Sequence, residues 1–205
     1  MKLEHALREF GVDVTGLVCA DFGCNVGGFT DCLLQHGAAK VYAIDTGYGG
    51  LDYRLRTDDR VVVMERTNVL YVLGSEDHTP SERVGFERVG LGRVDLVTID
   101  LGWTRQRHAI PAALNWLASG GRIITLVKPH YELEGDEKKS WLVDGTLAEE
   151  RAEEVLKRVL AQLPQLGIEV LASTTSPIRG AKSGRKKRGH GNVEYLVWAR
   201  KITTP

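Results

Sequence analysis

The chain of 205 residues is expected to fold as an α/β protein, a mostly parallel sheet covered by helices on both faces. Three observations predict this. Short apolar runs rich in valine and isoleucine recur from end to end, helical patterns alternate with them, and glycine or proline marks where most helices stop. Crossovers between such strands are right-handed, which brings the carboxyl ends of the strands to one edge, where open α/β sheets bind ligands.

The first element is a helix at 2–10 (KLEHALREF), followed by a strand at 17–21. A helix at 29–35 stops at Gly37, and strands at 41–45 and 61–65 come next. A polar segment at 74–93 then separates these from a strand at 94–100. A helix at 109–117 is expected to end at Gly120 and Gly121, ahead of a strand at 122–128. The helix at 147–163 runs up to Pro164, and strands at 168–173 and 193–200 close the chain. The segments 74–93 and 177–191 read as long loops, which in compact folds tend to be functional. No repeat, low-complexity tract or linker divides the sequence, so one domain over 1–205 is expected.

Composition excludes several classes. Apolar residues make up 42% and charged residues 26%, and no stretch approaches the roughly 20 apolar residues that span a bilayer. The N-terminus MKLEHALREF carries charge where a signal peptide keeps an apolar run, so a cytoplasmic protein with no membrane partner is expected. Cys19, Cys24 and Cys32 match no common zinc or redox spacing; they read as reduced packing residues, and no metal is expected. The formal charge is zero, yet from Arg179 to Lys201 eight basic residues face one acid, Glu194.

The segment Ala20-Asp21-Phe22-Gly23-Cys24-Asn25-Val26-Gly27-Gly28-Phe29 leaves the first strand and enters a helix. Glycines let backbone approach a ligand there, and the helix N-terminus behind them suits an anion. The spacing Gly23-x-x-x-Gly27-Gly28 is not the GxGxxG of dinucleotide enzymes, and no GK[ST] follows, which argues against a dehydrogenase or a nucleotide-triphosphate loop. Asp45 closes the second strand, where an acid can accept hydrogen bonds from both hydroxyls of a ribose. A carboxylate-binding helix N-terminus with a ribose-binding acid suits S-adenosylmethionine (SAM).

The run GGFTDCLLQHGAAKVYAIDTGYGGLDYRLRTDDRVVVMERTNV at 27–69 closely resembles the hemolysin A-type (TlyA-like) ribosomal RNA methyltransferases, a branch of the FtsJ-like ribose 2'-O-methyltransferases. The likeness continues in KLEHALREFGVDVTG, in the strand ending at Asp100, in Leu126-Val127-Lys128-Pro129 and in GNVEYLVW at 191–198. The resemblance implies a class I SAM-dependent methyltransferase fold, Rossmann-like, with a seven-stranded sheet whose last strand is antiparallel. It implies SAM contacts at Asp21, Gly23, Gly27, Gly28 and Phe29 in and beside the first loop, at Asp45, at Thr67 and Asn68 near the adenine, and at Asp100 between cofactor and substrate.

It also implies a catalytic tetrad at Lys2, Asp100, Lys128 and Glu194. Physical sense supports the last three, because Asp100 and Lys128 end strands at the carboxyl edge and an antiparallel return brings Glu194 back to it. A ribose hydroxyl must be aligned with the methyl carbon for in-line displacement, and positioning alone supplies much of the acceleration. In this scheme Lys128 holds the hydroxyl and accepts or relays its proton, Asp100 orients Lys128, and Lys2 and Glu194 fix the ribose. Whether Lys128 takes the proton or chiefly stabilises charge stays open at this level.

Arg179, Lys182, Arg185, Lys186, Lys187 and Arg188 lie among glycine and serine just before Glu194, a pattern suited to RNA phosphates. The implied partner is RNA, ribosomal RNA or ribosomal subunits. Three features depart from the family. The chain begins where an N-terminal S4-type RNA-binding module would end. Asp100 is followed by Leu101-Gly102-Trp103-Thr104-Arg105 rather than a Ser-Phe turn, with Trp103 either buried or free to stack on a base. The 74–93 segment is longer than usual, and Cys24-Asn25-Val26 replaces small residues. A SAM-binding, RNA-associated module without turnover is the alternative reading.

Overall fold

In a computed structural model, which describes residues 1–71, 94–180 and 191–202, the apolar runs form strands β1 (Val18–Phe22), β2 (Lys40–Ile44), β3 (Val61–Met64), β4 (Val94–Ile99), β5 (Leu117–Val127), β8 (Ile168–Thr175) and β9 (Tyr195–Lys201). They make one seven-stranded sheet in the order β3-β2-β1-β4-β5-β9-β8. Every pairing from β3 to β5 is parallel, and β9 runs antiparallel to both β5 and β8. The expected α/β class, the mostly parallel sheet and its antiparallel last strand are all present.

Because successive side chains of a strand point to opposite faces, each buried strand feeds two cores. Phe22, Ile44, Ile99 and Ile123 point to one face, under α4 (Gln106–Trp116) and α7 (Glu149–Gln162). Val41, Leu96, Ile124 and Leu126 point to the other, under α1 (Lys2–Phe10) and α2 (Gly28–Gln35). Strands buried on both faces read as continuous apolar runs, which is why they were legible.

Other elements carry no such periodicity: α3 (Tyr53–Arg56), α5 (Pro129–Glu132), α6 (Gly135–Ser140) and the two-residue strands β6 (Leu142–Val143) and β7 (Thr146–Leu147). The boundary at 117–121 differs from expectation. The α4 helix begins at Gln106, whose buried side chain accepts from Thr125 Oγ1 at 2.8 Å and so fixes the helix start to β5. It ends at Trp116, and Leu117 already pairs with Val94. Gly120 (φ +70°) and Gly121 therefore serve an irregularity between β4 and β5, where Arg122 resumes pairing opposite Leu96. After α7 the chain turns through a 3-10 helix, Leu163–Leu166, that contains Pro164.

Candidate active site

Residues at the carboxyl ends of β1, β2, β4 and β5 line a cavity of about 540 Å3. Asp100 follows β4 and Lys128 follows the adjacent β5. Lys128 Nζ lies 2.5 Å from Asp100 Oδ1 and donates at 3.2 Å to the Leu101 carbonyl. The register Val127↔Tyr195 places Glu194 beside Lys128 at the same edge. Lys2, the first residue of α1, reaches Glu194 Oε2 at 2.6 Å. Glu194 is only 3% exposed, and Leu3, Ala6 and Leu7 bury α1 against α2 and the sheet, so Lys2 is docked although it follows Met1 directly. All four side chains line the one cavity.

Glu194 is packed tightly by the segment before it. A Cβ on Gly180 would lie 2.5 Å from Glu194 Oε1, and one on Gly191 would lie 1.5 Å from the Gly180 carbonyl oxygen. Only glycine permits that backbone crossing. Gly180 N donates to Asn192 O at 2.9 Å, and the Asn192 side chain fastens the β6–β7 hairpin through Leu147 N and the Gly145 carbonyl.

Across the cavity, Gly23 (φ +85°) passes so close to β4 that a Cβ would lie 2.6 Å from the Asp100 carbonyl oxygen. Asp45 accepts from Asn25 N at 2.9 Å and Gly47 N at 2.7 Å, one bond on each carboxylate oxygen. Thr67 N donates to the Asp45 carbonyl at 2.9 Å, which sets Thr67 and Asn68 beside Asp45 on the same wall.

A family model described as FtsJ-like methyltransferase matches residues 1–201. The chain belongs to that family. Among similar proteins are Hemolysin A from Brachyspira hyodysenteriae, 35% identical over 96% of this chain and 72% of that protein, and the 16S/23S rRNA (cytidine-2'-O)-methyltransferase TlyA from Mycobacterium tuberculosis, 38% identical over 98% of this chain and 67% of that protein. A presumed hemolysin from Streptococcus thermophilus has a solved structure with a TM-score of 0.81 at 35% identity, covering 100% of this chain and 66% of that one. The chain thus spans about two thirds of the length of these relatives.

Four residues expected at the cofactor do not reach the cavity wall in this FtsJ-like chain. Asp21 is wholly buried, accepting from Thr30 Oγ1 at 2.7 Å and Thr98 Oγ1 at 3.0 Å, and so ties β1 to α2 and β4. Burial pushes its pKa up to about 6 despite those two bonds, and the nearby charge of Asp100 adds to the rise. Gly27 (φ +101°) faces Leu55, whose Cδ1 a Cβ would meet at 2.2 Å, so its missing side chain serves packing. Gly28 lies with Gly27 along a separate hollow beside Asp31 and Arg60. Phe29 is buried in the core under α1 and α2.

Other cavity residues escaped sequence reasoning: Asn25, Thr46, His130, Tyr131 and Asn192. The first turn of a helix after Lys128 was the available signal for His130 and Tyr131, since Tyr131 N donates to the Lys128 carbonyl at 2.8 Å. Burial, and then the charge of Lys128, holds the His130 pKa down at about 4, so its ring is neutral. Burial and the charges of Glu194 and Asp100 raise that of Tyr131. Trp103 is 75% exposed at φ +61°, its ring 5.0 Å from that of Tyr131. The three cysteines are buried and free, and burial pushes each thiol up to about 12. Arg179 is ion-paired with Glu149. Lys182, Arg185, Lys186, Lys187 and Arg188 lie outside the described residues, as does segment 74–93. Among the described residues no helix is long and apolar enough to cross a membrane.

Proposed function

We propose that residues 1–205 form one catalytic domain that transfers a methyl group from SAM to a ribose 2'-hydroxyl of RNA, ribosomal RNA in particular, in the cytoplasm. One observation carries this reading: the ion pairs Asp100–Lys128 and Lys2–Glu194 converge on the wall of one cavity. The name of the Mycobacterium relative, an rRNA (cytidine-2'-O)-methyltransferase, supports the substrate class.

The opposite wall fits the methyl donor by its donor set. Each Asp45 oxygen accepts one backbone bond and keeps a lone pair for a ribose hydroxyl, while Gly23, lacking a side chain, lets the first loop pack directly on the Asp100 carbonyl. Thr67 and Asn68 stand beside it for the adenine. When bound, SAM supplies an electrophilic methyl group on a sulfonium. Asp100 fixes Lys128 Nζ, which is placed to stabilise charge on the hydroxyl oxygen and to relay its proton, giving one proton to the Asp100 carboxylate for the one it receives. Lys2 and Glu194, already paired, hold the ribose. Trp103 offers an exposed aromatic face on which an RNA base can stack.

The test is tritiated methyl transfer from SAM to ribosomal RNA and intact subunits taken from cells lacking this protein, with Lys128→Ala as control. Label that is lost in the variant and recovered as a 2'-O-methylnucleoside supports the reading. A folded, SAM-binding chain that labels none of these substrates refutes it in favour of a binding module.

A further inference from the structure

We infer that Arg105 is a positioning residue for the transfer, a latch that holds the segment after Lys128 against the loop after Asp100; the inference rests on the methyl-transfer reading of the site. Arg105 does not line the cavity. Its guanidinium works in three directions. Nε donates to the Tyr131 carbonyl at 3.3 Å, Nη2 donates to the Leu133 carbonyl at 2.8 Å, and Nη1 pairs with the Glu134 carboxylate. Next to it, Gln106 N donates to Glu132 Oε1 at 2.9 Å and Arg107 Nη1 reaches Glu134 Oε1 at 2.5 Å.

These contacts close a short circuit around the reacting groups. Tyr131 N donates to the Lys128 carbonyl, the Tyr131 carbonyl accepts from Arg105, and Arg105 ends the five-residue turn that begins after Asp100. The Asp100–Lys128 pair spans the same two segments at 2.5 Å, and so does the ring contact between Trp103 and Tyr131. Without the latch, the two segments would keep those two contacts, the Lys128 bond to the Leu101 carbonyl and the Gln106–Glu132 and Arg107–Glu134 contacts, none of which reaches the Tyr131 or Leu133 carbonyl. The planar fork matters, because two of its three partners are neutral carbonyls at fixed angles. A lysine ammonium can reproduce the charge pairing with Glu134 but not the fork.

Arg105→Lys should therefore lower kcat roughly tenfold to a hundredfold while leaving KM for SAM and for RNA within about twofold. Arg105→Ala should recover activity with added guanidinium ion and not with ammonium ion. Wild-type kcat in Arg105→Lys, or a fall in kcat matched by loss of SAM binding or of the folded circular-dichroism spectrum, overturns the inference. A second readout needs no turnover: the fluorescence anisotropy of Trp103, taken as wild type minus Trp103→Phe. It should fall in Arg105→Lys as the Tyr131 segment loosens, and an unchanged value also overturns the latch. A wild-type chain that labels no RNA sinks the methyl-transfer reading itself, and the anisotropy then decides whether Arg105 still joins the two segments.

Discussion

Asp21→Asn should remove most of the pH dependence that one buried carboxyl imposes on stability. Folded, Asp21 is wholly buried, and burial raises its pKa from 3.8 to about 6. Unfolded, it titrates near the ordinary value. Between those two values the folded chain keeps a proton that the unfolded chain has released, so the stabilising contribution is complete below about pH 4 and is lost as pH rises through about 6. At about 1.36 kcal/mol per pH unit, the loss from this one group is about 3 kcal/mol by pH 7. Asparagine keeps the shape and carries no charge to desolvate, although one of the hydroxyls of Thr30 and Thr98 must turn from donating to accepting. That turn sets a constant offset between the two proteins. On top of it, the unfolding free energy of the variant minus that of wild type should rise by about 2.4 kcal/mol from pH 4 to pH 7. Urea titrations at several pH values read this directly, and a chain of this size should show about 2–4 °C in Tm per kcal/mol. Asp58 and Glu65, held down at about 2 by Arg60 and Arg56, titrate in both proteins and cancel in the difference. A difference that stays constant with pH would refute burial as the dominant influence on Asp21. SAM binding should survive the substitution, and its loss would return Asp21 to the cofactor wall.

Gly27→Ala should destabilise the fold by about 1–3 kcal/mol, since the new methyl meets Leu55 at a backbone conformation that disfavours any side chain; urea unfolding measures it, and an unchanged midpoint contradicts the packing role. Lys2→Ala leaves Glu194 buried without its partner and should cost about 3 kcal/mol, with part of that recovered in the Lys2→Ala/Glu194→Ala double variant; strict additivity would show that the pair is not coupled. Trp103→Ala should weaken RNA binding by about 1–3 kcal/mol with SAM binding untouched, read by filter retention of labelled RNA. The His130 ring protons should show no titration in NMR spectra above about pH 5, because its pKa lies near 4; a midpoint close to 6.5 would mean that the ring is solvated and away from the charge of Lys128.

The parts of the fold legible in the sequence were those with a period. Strands such as 94–100 and 122–128 are buried on both faces, so their apolar runs mark them within a residue or two of Val94–Ile99 and the end of Leu117–Val127. What carried no period was missed: α5, α6 and the β6–β7 hairpin lie between Lys128 and Glu149 and are held by side-chain bonds such as Arg158 to Glu137. The family resemblance named the positions Lys2, Asp100, Lys128 and Glu194, and strand topology independently supported the last three, which sit at strand termini on one edge. The glycine loop was harder. Gly23 and Gly27 look alike in sequence, yet one backs onto the Asp100 carbonyl and the other onto Leu55, and only the fold says which neighbour each glycine admits.

The crossing of Gly180 and Gly191 has a consequence for how such a protein can change. The described chain leaves at Gly180 and returns at Gly191 through one point beside Glu194, where neither position can carry a side chain without a clash. Descendants of this sequence can vary many surface positions, but a side chain at either of these two glycines would force the backbone apart beside Glu194.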